Sequence, residues 1–189
     1  YQNNGTMILG TAEGGLKITL FMINDLKLDI DYLNYYYFKT MHHEFAHILH
    51  QKKPYSTDFN IISGPDYKAD TWNDAWDPNI EEWKNEWADD ENPPTTDEEV
   101  ALRKGFISPY ASKEANEDFV ELIAIYVTST AAEWNETITK AYEGREKILA
   151  KFDIVYNYML NSWNIDLDEL RDVIQRRQGE IDTLDLENL

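Results

Sequence analysis

The sequence predicts an α+β fold that is mainly helical, with a small β-sheet near its N-terminal end. Three observations carry this. Strand-like alternation stops near Asn24, a helical apolar period takes over from about Asp31, and helical segments fill the C-terminal half. No internal repeat and no second composition block divides the 189 residues, so a single domain over residues 1–189 is expected.

Residues Thr6 to Asn24 read as β. Met7-Ile8-Leu9 is a short apolar run, Gly14-Gly15 marks a turn, and Lys17-Ile18-Thr19-Leu20-Phe21 alternates, so a hairpin or meander is expected. From about Asp31 to Gln51, Phe38, Met41, Phe45, Ile48 and Leu49 recur at i+3 and i+4. That period is one apolar stripe on a helix. Lys52 to Glu99 reads as irregular and polar, with Gly64-Pro65, Pro78 and Pro93-Pro94 and a helical turn or two around Ile80 to Ala88. Trp72, Trp76, Trp83 and Trp87 punctuate it. Such residues either pin a long loop to the body, the more ordinary role, or bind a sugar or peptide. The acidic run from Glu81 to Glu99 reads as a solvated face, without the regular carboxylate spacing of a calcium loop. Gly105 to Ala111 reads as a tight connection. Helices follow from about Lys113 to Ser129, from Ala132 to Asn161 with a break near Gly144, and from Asp166 to Arg177. Asp166 is a good N-cap for the last of them.

Composition excludes several function classes. The formal net charge is −19, from 36 acidic and 17 basic residues, and such a surface repels phosphate backbones. Nucleic acid is therefore not an expected partner. There is no cysteine, so disulfides and thiolate zinc sites are excluded, and any metal must be held by His, Asp or Glu. No apolar run is long enough to span a bilayer. The chain opens without Met in the middle of a strand-and-turn pattern, which leads us to expect a trimmed or processed protein lacking its N-terminal part.

The most informative segment is Thr40 to His50. It contains His43-Glu44-x-x-His47. The i, i+4 spacing puts both imidazoles on one helix face, where they can share a zinc ion, and Glu44 can reach a water held by that ion. A hydrolytic zinc site needs a third protein ligand and an open position. Glu117 and Glu121 lie one turn apart on a later helix. Glu117 is the candidate ligand, with Glu114, Asp118 or Glu121 as substitutes. Glu121 is the candidate acceptor for the other ring N–H of a ligand histidine. Tyr110, seven residues before Glu117, is positioned either to donate to a developing oxyanion or simply to pack in its loop. His42 and His50 read as supporting or surface histidines.

With these residues in view, the chain resembles the gluzincin group of zinc peptidases, with Glu121 where that group usually has Asp. Four segments look more specifically like the substrate import-associated zinc metallohydrolase lipoproteins of Bacteroidota: Asn4 to Gly15, His42 to Gln51, Gly105 to Ala111, and Glu117 to Glu121. The resemblance implies a zincin-like metallopeptidase fold and a Zn2+ cofactor. It also implies a lipid-anchored precursor in the cell envelope, at the outer membrane or in the periplasm, associated with outer-membrane nutrient import. The function expected is a zinc-dependent peptidase with Glu44 as general base and a peptide or protein as substrate. The alternative is a catalytically weak or inactive zinc-binding lipoprotein that captures glycan or peptide for uptake. A third reading is a zinc hydrolase of non-peptide amides or esters.

Overall fold

The computed structural model describes residues 9–21 and 37–180 and is mostly helical with a two-stranded sheet. The expected strand run Met7-Ile8 and the expected helical residues Asp31 to Tyr36 lie outside the described residues. The described residues fall into two compact units, the first from 9–21, 37–54, 123–130 and 159–180, the second from 55–122 and 131–158.

In the first unit, β1 (Gly10–Glu13) pairs antiparallel with β2 (Lys17–Leu20), in the register Gly10↔Leu20 through Glu13↔Lys17. Gly14 and Gly15 turn the hairpin at φ of 57° and 66°, the left-handed region that glycine enters without a Cβ clash. The Gly15 N–H donates to the Gln51 side chain over 2.6 Å and ties the hairpin tip to the last turn of α1 (Lys39–Lys52). The buried residues of α1 are His43, Glu44, Ala46 and Leu49, whereas Phe45 is 40% exposed. The expected apolar stripe is thus displaced: the buried face carries the polar motif, and Phe45 turns outward. The second half of α5 (Ala115–Thr128) adds Ile123, Ala124 and Val127 to the core of this unit. Met159 of α7 (Arg145–Trp163) and Leu167 and Ile174 of α8 (Leu167–Glu180) are buried in it as well. Asp166 caps α8, its Oδ1 accepting from the N–H groups of Asp168 and Glu169 at 2.8 and 3.2 Å.

In the second unit, the long polar stretch resolves into short elements: α2 (Asp58–Ile62), α3 (Glu81–Glu86), α4 (Asp97–Arg103) and two single 3-10 turns. Helix α4 falls where no helix was expected. Its signal is Thr96-x-x-Glu99, the spacing of a capping box: Thr96 Oγ1 accepts from Glu99 N at 3.2 Å, and the Glu99 carboxylate reaches back past the N-cap to accept from Thr95 N at 2.7 Å. Backbone donors hold the Glu99 carboxyl below its ordinary pKa.

Trp76, Trp83 and Trp87 are buried in a continuous ladder, with ring centroids 5.7 and 5.8 Å apart. Their indole N–H groups donate to Ser112 Oγ, the Ala75 carbonyl and Glu143 at 2.8, 2.9 and 2.8 Å. Lys68 and Lys104 each lie 5.0 Å from a ring of the ladder. These three tryptophans pin the loop, and Trp83 and Trp87 also line a cavity with Pro78, Pro93 and Pro94. The break expected near Gly144 is a 3-10 turn, Tyr142–Gly144, between α6 (Ala131–Lys140) and α7.

Under the first turn of α5, Lys151 Nζ meets Asp118 Oδ2 at 2.6 Å, both side chains fully buried. Tyr67 donates to the same oxygen at 2.9 Å. Burial pushes the Asp118 carboxyl up and the Lys151 ammonium down, and their mutual attraction opposes both shifts. Among the described residues, no helix is long and apolar enough to cross a membrane.

Candidate metal centre

α1 delivers both histidines as the spacing requires. The His43 and His47 rings lie 4.9 Å apart, centroid to centroid, at 77°. His47 Nδ1 is hydrogen-bonded to His50 Nε2 over 2.9 Å. In the tautomer in which His47 Nδ1–H donates to His50, Nε2 carries the lone pair that a metal would take. His50 therefore fills the supporting role open to it from sequence. His42 takes a different one: its Nδ1 bonds the Phe38 carbonyl at 2.7 Å, its ring stacks on Phe38, and burial lowers its pKa.

Glu44 is 7% exposed and lies against the first strand. A Cβ added at Gly10 would come within 2.7 Å of Glu44 Cγ, 2.8 Å of Thr40 Cγ2 and 2.9 Å of Glu44 Oε1. Glycine at this position lets the β1 backbone and the carboxylate share the space, a contact the sequence reading did not foresee. Gly10→Ala is expected to cost about 1–3 kcal/mol through overpacking. In a Glu44→Ala background, which removes two of the three close contacts, the cost should shrink. Urea unfolding of the four proteins of this double-mutant cycle checks it; an equal cost in both backgrounds would remove Glu44 as the neighbour that matters.

The first turns of α5 carry the acidic pair. Glu117 is 7% exposed, and its Oε1 lies 3.2 Å from Lys113 Nζ. Glu121 is 2% exposed and accepts from Ser108 Oγ at 2.7 Å, while Ser108 Oγ accepts from Ala111 N at 3.1 Å. Ser108 was missed from sequence, because nothing in a loop's composition says which carboxylate its hydroxyl will meet. Tyr110 begins a 3-10 turn, Tyr110–Lys113, with its ring edge-on to Trp72 at 4.9 Å and Lys113 Nζ 5.4 Å from its centroid.

His43, His47 and Glu117 form a group that could hold a metal ion, each offering one ligand atom, with these atoms all within 4.8 Å of one another. Two imidazole nitrogens and one carboxylate oxygen are the donor set of a hydrolytic zinc site, leaving a fourth position for water or substrate. The residues present fit that metal.

Comparison with known proteins agrees. A family model described as "Putative zinc-binding metallo-peptidase" matches residues 1–168. The chain is also similar to a crystal structure described as a putative zinc-binding metallo-peptidase from Bacteroides caccae ATCC 43185. The TM-score is 0.73 and the identity 42%, over 97% of this chain and 63% of that one. The chain thus spans less than two thirds of that protein. No curated protein matches it.

Proposed function

Because the chain belongs to the family of putative zinc-binding metallo-peptidases, we propose that it is a zinc-dependent hydrolase of peptide bonds. His43, His47 and Glu117 are the metal ligands and Glu44 is the general base. The observation that carries this is the meeting of the three donors in one group, with the motif's own carboxylate buried beside its first histidine.

Bound there, zinc supplies Lewis acidity that brings the pKa of a water toward neutrality. The chain's own residues do the rest. The Glu44 carboxylate takes the water's proton and later delivers it to the leaving amine, and the Gly10 backbone limits where that carboxylate can lie. His50 orients the His47 ring. Ser108 donates to one oxygen of Glu121, and that carboxylate accepts the ring N–H of a ligand histidine. The Tyr110 hydroxyl donates to the oxyanion that develops on the substrate carbonyl. The resemblance to Bacteroidota lipoproteins supports an envelope location, with peptides met there as substrates and an outer-membrane import system as associate.

Metal analysis and a peptide-library cleavage assay test the proposal together. Protein purified without chelator is expected to carry one zinc per chain. Stripping it should abolish cleavage, and adding zinc back should restore it. No stoichiometric metal in excess zinc would overturn the ligand assignment. Zinc without cleavage of any library member would overturn the peptidase assignment and favour the capture reading.

A further inference from the structure

We propose that Lys113 selects the substrate: its ammonium receives a substrate carboxylate beside the metal centre. The proposal rests on the zinc-hydrolase reading above and adds the chemistry of what that site accepts.

Lys113 closes the 3-10 turn that leads into α5, and its Nζ lies 3.2 Å from the Glu117 carboxylate. Two-thirds of its side chain is withdrawn from solvent, with 33% remaining exposed. Its ammonium lies 5.4 Å from the Tyr110 ring centroid, and Tyr110 is itself braced edge-on against Trp72 at 4.9 Å. The cation is thus held in place before any ligand arrives, so binding need not order a long flexible side chain.

Charge decides what such a cation would take. With the divalent ion absent, Glu117 and Lys113 neutralise each other. Two neutral imidazoles and one carboxylate leave a bound divalent ion with one net positive charge, and the nearby ammonium adds a second. The Glu44 and Glu121 carboxylates offset those two charges over the site as a whole, so the positive charge is local to the ammonium itself, which gives up its carboxylate partner when Glu117 turns to the ion. A neutral peptide does not exploit it; an anionic group within reach of Nζ does, through a charge-assisted hydrogen bond. The group is a carboxylate, either the α-carboxylate at a peptide's C-terminus or an acidic side chain near the scissile bond.

The test uses zinc-loaded protein and four tetrapeptides of one sequence, ending in free carboxylate or carboxamide and carrying Glu or Gln at one position. KM is measured on the unaltered protein, and affinity by calorimetry on zinc-loaded Glu44→Gln protein. The anionic member of at least one pair is expected to be favoured about tenfold or more, the scale of a hydrogen bond to a charged group. The acid/amide pair reports on the α-carboxylate, and the Glu/Gln pair on a side chain. Lys113→Met, which keeps the stem over Tyr110, should level the preference and should not weaken zinc binding, since it removes a like charge. Lys113→Arg should keep the preference. Equal treatment of both members of each pair by the unaltered protein, at whatever affinity, overturns the proposal. So does a preference that survives in Lys113→Met. Discrimination in binding without any cleavage would sink the hydrolase reading and leave the role of Lys113 standing.

Discussion

A Glu44→Gln variant is expected to keep its zinc and to turn substrate over about 10²–10⁴ times more slowly, the usual contribution of a positioned general base. Glutamine has the size of glutamate and fits the same buried place under Gly10, so the α1 helix and its two histidines have no reason to move. What it lacks is an oxygen that can take a proton. The predicted signature is therefore a split: metal content by elemental analysis unchanged, kcat collapsed. Glu117→Ala should give the opposite split, with folding retained and metal lost, because it deletes one of three donors and leaves Glu44 in place. Undiminished turnover in Glu44→Gln would end its role as base. Undiminished metal in Glu117→Ala would move the third ligand to another carboxylate.

Lys151→Met should destabilise the protein by about 3–5 kcal/mol, the cost of stranding one member of a buried ion pair. For a chain of this size, each kcal/mol moves Tm by about 2–4 °C, so a fall on the order of 10 °C is expected. Methionine fills much the same volume against Phe106 and Phe59, whose ring centroids lie 4.6 and 6.0 Å from the ammonium, so lost packing is a small part of the effect. The larger part is Asp118, fully buried, left with Tyr67 as a donor but without its cation. Adding Asp118→Asn to Lys151→Met should recover a substantial share, because a neutral amide is far cheaper to bury than a carboxylate. Thermal unfolding of the single and double variants checks this. A single variant as stable as the parent would show that the pair contributes nothing net. The consequence for the site is local: Asp118 follows Glu117 in α5, so this pair anchors the turn that presents the candidate ligand.

The parts of the site legible in sequence are those whose geometry is set within one helix turn. His43, Glu44 and His47 needed only the i, i+4 rule, and α1, described over Lys39–Lys52, ends within a residue of the expected Gln51. Glu117 and Glu121 followed from the same rule on α5, expected from Lys113 to Ser129 and found at Ala115–Thr128. The Gly14-Gly15 turn and the Asp166 cap are equally local, each decided by a backbone conformation or a side chain two or three residues away. Helix α4 was missed although its Thr96-Glu99 box was written in the chain, because surrounding acidic residues and prolines masked its short apolar run.

What sequence alone determined is the chemistry available: two imidazoles on one helix face, a carboxylate between them, a second acidic pair on another helix, and no cysteine to compete. Tertiary structure decided which neighbours tune that chemistry. Glu44 lies under Gly10, Glu121 is held by Ser108, Asp118 is paired with Lys151 thirty-three residues away, and three tryptophans stack in a buried ladder. The physical reason is range. Helical periodicity is a property of adjacent turns, whereas burial, close approach and ion pairing depend on which distant segments the packed chain brings together.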